Sequence, residues 1–336
     1  MTRRAILAGV LCVALAGCGG VQSALAPAGS EAAHIGGLLG LFFWVTLGVY
    51  VFVLACLGLA VLRGRAGGSG VQGEPAAGAE PGWHLALALF AGATALILLV
   101  LSVATWLTDR SIAREAVNPA VEVEVIGHQW WWEVRYDDPV AGRTVRTANE
   151  LVIPAGAVTH VALSSTDVIH SLWIPNLAGK QDLIPGRNSD LALKPARSGR
   201  FRAQCAEFCG LQHAHMALDV TVLAPADYAR WYEAQLKTPP APTGGPEFAG
   251  YSLFLGRQCS SCHTIGGTPA SGQVAPDLTH VASRRTIAAG TLPATRAGFD
   301  AWIADPQAAK PGNAMPRVPL SDAERAAVVA YLESLK

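Results

Sequence analysis

Two long apolar stretches dominate the first third of the chain. Residues 35–62 and 83–107 contain no Asp, Glu, Lys or Arg. At about 1.5 Å per residue, each is long enough as a helix to cross a hydrocarbon core of ~30 Å. A single central charge would cost about 2.5–3.5 kcal/mol on insertion scales, so its absence is informative. The pattern predicts a two-helix transmembrane hairpin; its length argues against buried helices of a soluble core. Beyond residue 118 the period shifts to two. Residues 121–136 alternate and are rich in Val and Trp, which predicts one long strand with Trp130 and Trp132 on one face and Trp131 on the other. Shorter alternating runs follow at 150–153, 157–163, 169–174, 189–193, 200–205 and 217–223. Pro154, Gly156, Pro175, Gly179, Pro185, Gly186 and Pro195 punctuate them. Many short strands with such breaks predict a β-sandwich or barrel. Residues 238–246, Pro-rich and then Gly-rich, read as a linker between domains. After it the spacing becomes helical at 248–257. Ser321-Asp322-Ala323-Glu324 is a capping box opening a last helix, with Val328, Tyr331, Leu332 and Leu335 on one face.

Composition narrows the class. The 336 residues carry zero formal net charge, with 51% hydrophobic and only 15% charged residues. Nothing in that balance points to a nucleic-acid partner. Thr2-Arg3-Arg4 and the short apolar run 5–16 have the layout of a secretory signal, too short to span a bilayer. The run ends in Leu15-Ala16-Gly17-Cys18, which resembles a bacterial lipoprotein box. Residues 1–17 are then the leader and Cys18 the lipid-carrying N-terminus; ordinary cleavage after Ala26 is the alternative. Arg63 and Arg65 on one side of the hairpin and Arg110 and Arg114 on the other leave orientation open. The signal places the N-terminus outside, residues 63–82 in the cytoplasm, and everything after 107 outside.

Two cysteine motifs carry the chemistry. Cys205 and Cys209 are spaced C-x3-C, with His213 four residues further and Met216 three beyond that. Thiolates, imidazole and thioether together suit copper. Zinc has little use for a methionine; a disulfide or a zinc site is the alternative. Of three methionines, one is Met1 and one is in this loop. The second motif is Cys259-Ser260-Ser261-Cys262-His263, the C-x-x-C-H pattern of covalent haem attachment. Cys259 and Cys262 would form the thioethers, and His263 would bind the iron. The third methionine, Met315, stands in Pro311-Gly312-Asn313-Ala314-Met315-Pro316 and is the candidate sixth ligand, with His280 as rival. A Met/His pair raises the haem potential and leaves no open site, so this haem carries electrons.

The loop at 205–216, the Asp167-Val168-Ile169-His170-Ser171 segment and the Gly127-His128-Gln129-Trp130-Trp131-Trp132 segment resemble subunit II of haem–copper cytochrome c oxidases. With the fused C-x-x-C-H module, the chain is similar to the caa type from residue 18 to 336. The resemblance implies a binuclear copper A centre held by His170, Cys205, the Glu207 carbonyl, Cys209, His213 and Met216. It implies a magnesium ion shared with subunit I through the Glu207 carboxylate, and Trp130 as the residue of electron transfer. His128 and His215 have no ligand role in it. Asp182 would order a metal-bound water, and Glu80, three residues before Trp83, would stand at a proton channel or be an ordinary loop glutamate. The fold implied is a hairpin (18–110), an all-β cupredoxin-like Greek-key sandwich (118–225), and a small all-α class I cytochrome c domain (247–336). The implied function is to accept electrons from cytochrome c and pass them to subunit I, which reduces oxygen. The implied partners are the other oxidase subunits, a cytochrome c donor and membrane lipid, at a bacterial inner membrane with both redox domains on the outer face. A quinol oxidase subunit II would lack the copper ligands. A nitrous oxide reductase-like protein would lack the hairpin and the tryptophan motif, and a copper-delivery lipoprotein would have no need of a covalent haem.

Overall fold

The computed structural model describes residues 19–66, 81–115, 117–138 and 142–336. The leader, Cys18 and Glu80 lie outside the described residues. The chain divides into two compact units, one made of His34–Arg114 and the other of the segment up to Ala33 with Glu115–Lys336.

The first unit is helical. Helix α1 spans Ser30–Ala66 and α2 spans Pro81–Glu115, both extending past the uncharged stretches. Their apolar side chains are exposed nearly throughout, among them Trp44, Phe52, Leu87 and Leu98. Helices this long and this apolar with no protein cover have the length and composition of membrane spans.

In the second unit, ten strands make two five-stranded sheets. They are β1 (Val121–His128), β2 (Trp131–Asp138), β3 (Arg143–Ala148), β4 (Glu150–Pro154), β5 (Thr159–Ser165), β6 (His170–Trp173), β7 (Lys180–Leu183), β8 (Ser189–Leu193), β9 (Gly199–Cys205) and β10 (Ala217–Leu223). One sheet runs β3-β2-β1-β5-β8, the other β4-β10-β9-β6-β7. Inward-facing residues alternate, as in β9 (Phe201, Ala203, Cys205), and join those of the facing sheet in one core around Trp132, Leu151, Leu163 and Leu172. This is the cupredoxin-like sandwich that the resemblance implies.

The single strand expected over 121–136 is instead a hairpin. β1 and β2 pair antiparallel with His128 opposite Trp131, so the chain reverses at Gln129-Trp130. No Gly, Asn or Pro occupies that turn. Contacts from distant loops hold it: Gln129 N donates to Asp167 Oδ2 at 2.7 Å, and Gln129 Nε2 donates to Cys209 O at 2.8 Å. The three tryptophans therefore part company. Trp132 is fully buried, Trp131 stacks on His128 at 4.2 Å, and Trp130 lies in the turn itself.

Residues 19–33 run along the sandwich and are hydrogen-bonded to it. Asn176 Nδ2 donates to Gly20 O and Ala26 O, Ala196 N to Ala28 O, and Gly179 N to the Glu31 carboxylate. After β10, helix α3 (Pro225–Gln235) packs Trp231 against Tyr136 with ring centroids 5.2 Å apart. The C-terminal module then adds α4 (Gly245–Gly256), α5 (Cys259–Cys262), the short pair β11 (Thr286–Ile287) and β12 (Leu292–Pro293), α6 (Arg296–Ala304), α7 (Pro306–Ala309) and α8 (Asp322–Ser334). Its own core centres on Phe254, Phe299, Val328 and Tyr331. Both halves of the capping box at Ser321 and Glu324 are formed.

Candidate metal centre and the cavity beside it

Cys205 ends β9 and His170 begins β6, and these strands are neighbours with Cys205 opposite Leu172. The loop from Cys205 to the start of β10 folds back so that its side chains meet His170. Cys205 Sγ lies 3.8 Å from His170 Nδ1, 3.7 Å from Cys209 Sγ and 3.2 Å from Glu207 O. Cys209 Sγ lies 3.6 Å from His213 Nδ1 and 3.9 Å from Met216 Sδ. The six donors that the resemblance implies come together here, and His170, Cys205, Cys209 and Met216 are buried. A disulfide requires sulfurs about 2.05 Å apart, so the two thiols are free. Their contact lowers the pKa of Cys205 and raises that of Cys209, burial opposing the first shift and adding to the second. A pocket of two sulfurs, two imidazoles, a thioether and a carbonyl fits soft, copper-type coordination.

Asp167 orients His170. Its Oδ1 lies 2.8 Å from His170 Nε2 and so accepts the ring proton there, leaving the Nδ1 lone pair facing Cys205. Burial pushes the Asp167 pKa up, but its bonds to His170 and to the Val168 and Gln129 amides outweigh this and hold it low. Gly127 matters by absence of a side chain: a Cβ there would stand 2.8 Å from His170 Cδ2. A D-x-x-H spacing and a glycine inside the tryptophan motif were the available signals. Asp182 lies opposite Ser171 in the β6–β7 pair, and its carbonyl accepts from Ser189 Oγ. The His128 ring meets Glu133 and Thr166, away from the donors.

A cavity of about 590 Å³ opens in the C-terminal module. Cys259, Cys262, His263 and Met315 all line it, with Phe254, Leu278, Phe299 and Leu332 as apolar wall. His263 Nδ1 is 2.7 Å from Pro276 O, and a carbonyl can only accept, so the ring proton is on Nδ1 and Nε2 keeps its lone pair. Burial lowers the His263 pKa, which favours that neutral ring. Gln307 Nε2 donates to Asn313 O and Met315 O and steadies the methionine loop. His280 instead hydrogen-bonds Gln235 O at 3.2 Å and is not part of the cavity wall. The donor set and apolar wall fit a covalently held haem.

The remaining wall of this cavity comes from the sandwich, as Gln129, Trp130, Trp131 and Asn149. Trp130 Nε1 donates to Cys209 O at 2.9 Å. One indole thus borders the cavity and touches the metal loop.

The chain matches the cytochrome C oxidase subunit II periplasmic domain over residues 139–223 and the cytochrome c family over residues 249–336. It is 31% identical over 333 residues to cytochrome c oxidase subunit 2 of Alkalihalophilus pseudofirmus, spanning 96% of this chain and 94% of that protein. It is likewise 31% identical over 260 residues to the subunit 2 of Bacillus sp. (strain PS3), 72% of this chain and 71% of that one. Among solved structures, the periplasmic domain of subunit II of cytochrome oxidase from Bradyrhizobium japonicum is 28% identical over 36% of this chain and 96% of that chain, with a TM-score of 0.33.

Proposed function

The chain belongs to the cytochrome c oxidase subunit II family, with a cytochrome c domain fused at its C-terminus, and from that premise we propose how its residues serve the point where electrons enter the oxidase. When bound, the dicopper centre and haem c supply reversible one-electron carriers. Cys205, Cys209, His170, His213, Met216 and the Glu207 carbonyl would together hold the copper pair. The buried cluster of His170, Cys205 and Cys209, with Glu207 O, His213 Nδ1 and Met216 Sδ within 3.2–3.9 Å of its sulfurs, supports this reading. Cys259 and Cys262 would attach haem c covalently, and His263 and Met315 would supply its iron ligands. The Glu207 side chain is exposed, which leaves its carboxylate available to a magnesium ion shared with subunit I.

We read the hairpin as crossing a bacterial inner membrane with both ends on the outer face. Support comes from residues 19–33, which are hydrogen-bonded to the sandwich and so lie on its side of the bilayer. A lipid on Cys18 would add an anchor at that end. The partners are the other oxidase subunits and a cytochrome c donor.

Trp130 couples the haem cavity to the metal loop. The observation that carries this is its double position, on the cavity wall and 2.9 Å from Cys209 O. Trp130→Phe keeps an aromatic ring but loses that hydrogen bond. The expected outcome is unchanged copper and haem content with slower copper reduction after flash reduction of the haem, followed by time-resolved absorbance in the assembled oxidase. A variant that transfers at the wild-type rate would reduce Trp130 to packing.

A further inference from the structure

Lys310 is the side chain of the C-terminal module least explained by its own domain. It is only 2% exposed, and no carboxylate is among its hydrogen-bond partners. Its ammonium donates to Trp130 O at 2.6 Å, to His215 O at 2.8 Å and to Ala288 O at 3.2 Å. An ammonium has three N–H groups, and here all three are used. The three acceptors come from three separate places: the β1–β2 turn, the metal loop, and the loop after β11.

The acceptor loop is itself held under constraint. Ala288 and Ala289 have φ of +53° and +58°, where alanine sits only when its surroundings impose it. The carbonyls of both are captured, Ala288 O by Lys310 within the same module and Ala289 O across the domain boundary by the Ala217 amide at 3.1 Å. Next to Lys310, Pro311 O accepts from Gln212 of the metal loop at 2.7 Å. Gly312 follows with φ +83°, and a Cβ there would stand 2.9 Å from Leu211 Cδ2. The methionine loop is thereby seated on the metal loop with Trp130 beneath it.

We propose that Lys310 is the positioning residue that locks the cytochrome c domain onto the copper domain, its ammonium tying the Trp130 turn, the metal loop and the Ala288 loop into one arrangement. It carries no electron; it fixes the separation and orientation across which Trp130 acts. The inference rests on the electron route proposed above. Without the ammonium, three carbonyls lose this donor and the strained Ala288–Ala289 backbone loses one of its two captors.

The test uses the assembled oxidase with Lys310→Met, which keeps an unbranched side chain without donors, and Lys310→Arg, which keeps the charge. Two readouts are taken. One is electron transfer from haem to copper after reduction by a photoexcited ruthenium tris-bipyridine complex. The other is hydrogen exchange of the peptide containing the Ala217 amide. Lys310→Met is expected to slow the interdomain step on the order of tenfold, as misplacement of a reacting pair does, and to deprotect Ala217. Haem reduction by the ruthenium complex, the haem potential and the copper spectrum should hold, and Lys310→Arg should recover part of both losses. A purely structural lysine would shift the potential or the spectra as well, and that pattern overturns the proposal. So does Lys310→Met with wild-type transfer and wild-type protection of Ala217. Should Lys310→Met not assemble, Lys310→Gln is read by the same two outcomes. If the wild type itself shows no haem-to-copper transfer, the electron route fails, and Ala217 protection alone decides whether Lys310 locks the domains.

Discussion

Asp167 decides which nitrogen of His170 faces the sulfurs, because a carboxylate can only accept the proton that the ring carries on Nε2. Asp167→Asn keeps the shape and can present its NH2 to the same nitrogen, which releases the tautomer. Outer partners of metal-binding histidines are typically worth about 10–100-fold in metal affinity. Loss of that order is expected on titrating the variant with a copper chelator, with the fold intact by circular dichroism. Glu133 offers a pH test. Burial raises its pKa, but the bonds to His128 and Arg135 prevail and lower it from 4.5 to about 2. A carboxylate with a depressed folded pKa contributes stability that is full above 4.5 and is lost as pH falls from there toward 2. Glu133→Gln should therefore be less stable than wild type at pH 6 and converge with it near pH 2, read from urea midpoints of the detergent-solubilised chain. Cys205, Cys209, His213 and Met216 are legible in the sequence, because Cys, His and Met at short spacings have few other uses, whereas His170 and the Glu207 carbonyl enter only through the family resemblance. Asp167, Gly127 and Lys310 are not legible, since what each does depends on a segment distant in sequence.

Elements were legible where periodicity and punctuation agreed. The runs at 189–193 and 217–223 coincide with β8 and β10, and the apolar spans with the two long helices. The reading failed where tertiary contacts replace local signals. Gln129-Trp130 turns without a turn residue because Asp167 and Cys209 hold it. β3 and β7 are short and polar, with Arg143, Thr144, Lys180 and Gln181 on positions that alternation cannot mark. The capping box at α8 is legible in the sequence because its whole mechanism lies within four residues. Ser321 Oγ accepts from Glu324 N, and the Glu324 carboxylate accepts from Ser321 N. Ser321→Ala removes the first bond and should cost about 1 kcal/mol. Amide exchange in the first turn of α8 should quicken correspondingly.

At the scale of the molecule, the linker at 238–246 marks a boundary between two domains. The structure joins them closely. Arg284, 7% exposed, reaches Glu150 of the sandwich, Thr286 Oγ1 donates to Asp219 Oδ2 at 2.7 Å, and Lys310 spends its three protons on both sides of the boundary. These contacts couple the two modules through polar groups held between them. The carbonyl cage around Lys310 thus has a thermodynamic meaning beyond geometry. Two modules on a string would melt in two steps, each at its own temperature. With the cage closed, heat absorbed by one module must also undo the other, and differential scanning calorimetry of the outer unit should record one endotherm whose calorimetric and van't Hoff enthalpies agree. Lys310→Met should split that peak in two. Fusion of this kind makes the haem module a cooperative part of the copper domain's own folding unit.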